Sequence, residues 1–176
     1  DLTGGTATVD RDAAVEIVGG AVTTLNLISG AGITDTGPIT VSNGLTATGD
    51  ANGAAITLDQ IDVTGGTVAL STTDSNATID NDSAIVFGAS GVGANLSATT
   101  AAGDITQAGA VTATGTATFN SAADITLNDG GNSFGDLTVT GGIVEITEAD
   151  AITDGGAWTT GATTLNAGGN DIDLDE

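Results

Sequence analysis

Leu2-Thr-Gly-Gly-Thr-Ala-Thr-Val9 returns as Val63-Thr-Gly-Gly-Thr-Val-Ala-Leu70 and again as Val139-Thr-Gly-Gly-Ile-Val-Glu-Ile146. A second block follows each copy. It runs from Gly32-Ile-Thr-Asp to Ala55-Ile-Thr-Leu-Asp59, from Asp104-Ile-Thr-Gln to Asp124-Ile-Thr-Leu-Asn128, and from Ala151-Ile-Thr-Asp to Asp171-Ile-Asp-Leu-Asp175. Within it the isoleucines recur at nearly equal intervals: Ile33 to Ile56, Ile105 to Ile125, and Ile152 to Ile172. The interval from first block to second varies much more, from Leu2 to Ile33, Val63 to Ile105, and Val139 to Ile152. The shortest of those intervals differs from the other two by 18 and 29 residues, each roughly one coil of a β-solenoid. Inserting a whole coil keeps neighbours stacked, whereas a partial insertion breaks the stack.

Between the repeats the chain alternates with period two, as in Ala55-Ile56-Thr57-Leu58, Val111-Thr112-Ala113-Thr114 and Leu137-Thr138-Val139-Thr140. Apolar residues take one face and Thr mostly the other, the pattern of short strands. Gly interrupts every would-be helical window, and glycine pairs such as Gly65-Gly66 and Gly168-Gly169 mark corners. The single proline, Pro38, precedes the run Ile39-Thr40-Val41, where its missing donor matters least.

Composition narrows the functions. The 176 residues carry one Arg, no Lys and 23 acids, a formal net charge of −22. One cation cannot neutralise a phosphate backbone, which argues against nucleic acid and against anionic membrane surfaces. With no Cys and no His, there is no thiol nucleophile, zinc–thiolate site or imidazole base. No apolar run is long enough to span a bilayer as a helix. Four aromatics are few for an ordinary globular core, yet they suit a thin core of Ile, Val, Leu and Ala.

These features predict an all-β chain folded as a right-handed parallel β-helix, with an antiparallel β-sandwich as the alternative. A coil of about 24 residues with three short strands gives about seven coils and a rod of roughly 30–35 Å, the coils stacking about 4.8 Å apart. The expected interior is Ile56, Leu58, Val68, Leu70, Ile85, Phe87, Ile105, Val111, Phe119, Ile125, Leu127, Val139, Ile146 and Ile172. Residues 1–176 read as a single solenoid segment. Neither end has the features of a cap, so each is expected to meet more solenoid, in the same chain or in a neighbour.

The wording Asp124-Ile-Thr-Leu-Asn-Asp-Gly-Gly-Asn-Ser-Phe-Gly-Asp-Leu-Thr-Val-Thr-Gly-Gly142 is distinctive. It resembles the repeats of filamentous-haemagglutinin-like exoproteins, the secreted adhesins of two-partner secretion in Gram-negative bacteria. The resemblance covers most of residues 60–176 and, more weakly, 1–59. It implies a β-helix shaft exported unfolded and acting at the cell surface. The family's amino-terminal secretion domain is not visible in this sequence.

Candidate sites are acidic. Asp171, Asp173 and Asp175 alternate along one strand, and Asp10 with Asp12 and Asp80 with Asp82 are shorter versions. Alternate strand residues lie about 7 Å apart, so calcium could bridge carboxylates from adjacent coils. The plainer reading is a solvated acidic face. No EF-hand loop or Gly-Gly-X-Gly-X-Asp run is present. Thr-X-Thr triplets such as those beginning at Thr6, Thr46, Thr112, Thr116 and Thr138 recur at intervals too irregular to predict a flat hydroxyl array for ice binding. Asn-X-Ser/Thr sequons at Asn76, Asn81 and Asn95 occur about as often as chance allows, the first two in an expected surface loop. Trp158 reads as a buried or end-stacked core residue.

The expected function is structural: a non-catalytic rod segment of a secreted bacterial adhesin or extracellular filament. Its expected partners are further copies or adjoining repeats, with a host or cell-surface receptor for the whole assembly. The alternative is a surface module that binds calcium, a glycan or a receptor. A polysaccharide-active enzyme is the weakest reading. No aromatic platform flanks an acid pair, and Arg11 is the one basic residue.

Overall fold

The Ile-Thr-Leu runs form strands because β-branched side chains fill a pleated surface, while Gly, Asn and Asp between them turn the chain. A computed structural model describes residues 2–174. Among those residues there are 19 strands and no helix. Seventeen strands join one continuous sheet. Their pairings are parallel throughout, between residues about one coil apart, as in Leu2–Arg11 with Gly20–Ser29 and Leu96–Thr100 with Val111–Asn120. This is a β-solenoid of about nine turns, and the parallel pairing excludes the antiparallel sandwich.

The ladders make the coil explicit. One runs Val15, Ile33, Ile56, Ala77, Leu96, Ala117, Leu137, one coil per step, the step from Val15 being the shortest and that from Ile33 the longest. A second runs Val9, Leu27, Ala47, Leu70. A third, in the upper coils, runs Ile85, Ile105, Ile125, Val144. The repeated isoleucines are direct partners: Ile33 with Ile56, Ile105 with Ile125, and Ile152 with Ile172. The intervals between them in the sequence are therefore coil lengths. The first two Thr-Gly-Gly blocks superpose three coils apart, with Ala7 below Leu25, Leu45 and Val68.

The coil is shorter than expected, and the turns correspondingly more numerous, because its corners are tighter. Gly88-Ala89 is the whole corner between strands Ile85–Phe87 and Ser90–Val92. Gly66 shows the steric demand. Its φ is +75°, and a Cβ there would collide with the Asn43 carbonyl oxygen.

The core is a narrow column of Ile, Val, Leu and Ala. Thirteen of the fourteen expected interior residues are buried. The exception is Ile172, 46% exposed because no described coil covers its upper edge. Three phenylalanines fit the bore by interlocking. Phe87 and Phe119 meet edge-on with centroids 6.2 Å apart, and Phe119 and Phe134 do so at 5.4 Å. Room for them comes from small residues one coil below, Ala98 beneath Phe119 and Ala113 beneath Phe134. Trp158 is partly buried against the core, and its indole N–H donates to the Leu137 carbonyl at 3.0 Å.

Candidate functional site

Among the described residues the acidic candidates are all exposed, and the three clusters lie at separate places on the solenoid. Asp10 lies in the first strand and Asp12 just after it; both are exposed. Asp171 and Asp173 sit at the exposed strand Ile172–Asp173, while Asp175 falls outside the described residues. Asp80 and Asp82 are exposed as well. They share a shallow hollow of about 200 Å³ with Asn81, Thr99 and a third acid, Asp59 from the coil below. Sequence reasoning missed Asp59 because one coil separates it from Asp80. Among the described residues no group of three or more acids comes together closely enough to hold a metal ion.

Instead, many acids cap backbone N–H groups at the corners. Asp124 Oδ1 accepts from the Ile143 N–H at 2.7 Å, and Asp104 Oδ1 from the Asp124 N–H at 3.1 Å. Asp35 is buried on the ladder above Ile17 and accepts from the N–H groups of Asp59 and Gln60, at 2.9 and 3.1 Å. Burial raises its pKa above the usual aspartate value, and those two bonds oppose the rise. Part of the acidic excess is thus structural.

Buried polar side chains replace missing ladder bonds. Asn81, expected in a surface loop, is buried. Its Oδ1 accepts from the Val63 N–H, and its Nδ2 donates to the Val63 carbonyl, copying a backbone pairing. Asn132 is fully buried. Its Oδ1 accepts from the Val111 N–H, and its Nδ2 donates to the carbonyls of Leu127 and Thr147. Glu148 extends the pattern, Oε2 accepting from the Phe134 N–H at 3.0 Å. Its other oxygen, Oε1, is buried without a partner. Desolvation pushes the Glu148 carboxyl up to about 7, nearby Asp150 adding to the rise and the Phe134 bond opposing it. Ser29, Thr100 and Ser121 close corners by donating to the carbonyl three residues ahead.

The outer surface holds an order that the sequence conceals. Thr34, Thr57, Thr78, Ser97, Thr118 and Thr138 are successive register partners, a hydroxyl column six coils tall. Asp80, Thr99, Asn120 and Thr140 form the column beside it. The acid there interrupts any uniform Thr array. The Thr-X-Thr spacings look irregular along the chain because coil length varies.

The chain matches a family described as repeats of unknown function (DUF5649), at residues 4–73, 74–140 and 133–176. No curated protein and no solved structure matches it.

Proposed function

This chain belongs to the family of DUF5649 repeats, and we propose that it serves as a structural rod segment of a secreted bacterial surface adhesin or extracellular filament. The observation that carries the reading is the parallel ladder, continuous from coil to coil. Its polar investments go into closing corners and replacing ladder bonds, which serve the shaft itself. The repeat wording, similar to that of filamentous-haemagglutinin-like exoproteins, supports a place outside the cell. So does the absence of Cys, since a shaft without thiols crosses oxidising compartments without pairing errors.

The rod carries no catalysis in this reading, and receptor contact belongs to the assembly of which it is the shaft. The test is electron microscopy of the purified chain, with calcium and with chelator, together with antibody labelling of intact cells. Uniform rods or filaments and surface labelling support the proposal. Labelling confined to permeabilised cells would remove the adhesin and filament readings alike.

A further inference from the structure

Among the described residues two buried carboxylate oxygens have no hydrogen-bond partner, Asp62 Oδ1 and Glu148 Oε1. Asp62 is half-buried, whereas Glu148 is 1% exposed. A carboxylate is ordinarily buried against a cation or a full set of donors. Glu148 has one donor, the Phe134 N–H, which reaches Oε2 at 3.0 Å. The chain has no Lys and no His, and its one Arg, Arg11, ends the first strand, many coils below. No side chain of this protein can supply the missing positive charge.

A second carboxylate is fixed beside the first. Ser133 Oγ donates to Asp150 Oδ2 at 3.0 Å, next to the Phe134 N–H that holds Glu148. Neighbouring residues of one strand, Ser133–Thr147, thus anchor the two acids, each through a single oxygen. Asp150 lies near enough for its charge to disfavour an ionised Glu148. The corner between them is pinned from the coils on both sides. The Glu148 N–H donates to the Asn166 carbonyl at 2.8 Å, and the Ala149 N–H to the Asn132 carbonyl at 2.8 Å. Asn170 Nδ2 donates to the Ala149 carbonyl at 3.0 Å. The fold has therefore already ordered the groups that a ligand would need.

We propose that Glu148 and Asp150 hold a calcium ion, Glu148 Oε1 serving as its inner ligand and the second oxygen of Asp150 as its outer one. The ion gives the orphaned oxygen a partner and neutralises two like charges held on adjacent residues. A bridging water would satisfy the oxygen and leave the charges opposed. Because Oε1 is buried, the ion must shed water on that side. Magnesium dehydrates reluctantly and demands a regular octahedron, whereas calcium accepts irregular oxygen sets completed by water. The site is distinct from the hollow of Asp59, Asp80 and Asp82, where all three acids are exposed. It does not depend on the rod reading.

The test is thermal melting of the purified chain with CaCl2, MgCl2 or NaCl at matched ionic strength. The variants are Glu148→Gln and Asp150→Asn. Each amide keeps an oxygen for Phe134 or Ser133 and loses only the charge. Asp80→Asn serves as the comparison, and circular dichroism confirms that every chain folds. The expected result is a saturable rise of several degrees with calcium in the native chain and in Asp80→Asn. In both amide variants at the site the rise is lost, leaving the shift that NaCl gives through screening. Magnesium gives that screening shift alone in every chain. A saturable calcium rise that survives in either Glu148→Gln or Asp150→Asn overturns the proposal. So does its loss in Asp80→Asn, which would move the ion to the exposed hollow, or its absence from the native chain.

Discussion

Replacing Glu148 with Gln should stabilise the solenoid at alkaline pH and not at acid pH. The carboxyl is 1% exposed, with Oε1 unpartnered and Asp150 nearby. Its pKa rises from 4.5 to about 7, so the fold prefers the neutral form. The sign follows from that preference. Stability is full below 4.5, is lost as pH rises toward and through 7, and stays lost above. The shift corresponds to about 3 kcal/mol at pH 8. Glu148→Gln keeps an oxygen for the Phe134 N–H and removes the charge. Its amide faces the same lack of a partner that the neutral carboxyl faces, so the two chains are nearly matched at pH 4.5. Urea unfolding of both chains at pH 4.5, 6 and 8, at fixed ionic strength, reads the difference. Comparing the chains at each pH cancels the general self-repulsion of the acidic rod. The advantage of Glu148→Gln should grow by about 3 kcal/mol across this range. The same difference at pH 4.5 and pH 8 would refute the reasoning.

Other substitutions test other parts of the coil. Phe119→Ala removes the middle ring of the edge-on stack and should cost about 3–5 kcal/mol, read by thermal melting. Asn132→Ala strands the Val111 N–H and the carbonyls of Leu127 and Thr147, for a loss of about 3 kcal/mol or more. Hydrogen exchange should show the loss first around those three residues. Gly66→Ala meets both the positive φ and the Asn43 carbonyl, so its melting temperature should fall, whereas Gly130→Ala, with open space at its Cβ, should stay near the native value.

The coil was legible because a solenoid writes its period into the chain. The intervals Ile33 to Ile56, Ile105 to Ile125 and Ile152 to Ile172 state the distance between direct partners. The interior was legible for the same reason, since alternation assigns faces without knowledge of the fold. What stayed hidden depends on which coil lies next to which. Asp59 joins Asp80 and Asp82 only through stacking. The hydroxyl column from Thr34 to Thr138 is regular in space and irregular in sequence, because successive coils differ in length. Asn81 and Asn132 look like surface residues by type. They are buried because they supply hydrogen bonds where the backbone ladder skips, a need that no local pattern announces. Alternation places Ile172 in the interior, yet its exposure is set by what lies above it.

The parallel ladder has a mechanical consequence. Its strands lie across the long axis, so the bonds between coils point along the direction in which a tethered shaft would be pulled. Such bonds open in sequence, like a zip, and do not share load as sheared strands do. Tension should therefore peel the rod one turn at a time from an end. Each released turn yields about 65–70 Å of slack for about 20 residues. Single-molecule stretching would record this as a staircase of small, similar steps. Turns clamped by Asn81 or Asn132 should hold longest, so the ladder would yield in graded steps and not break at once.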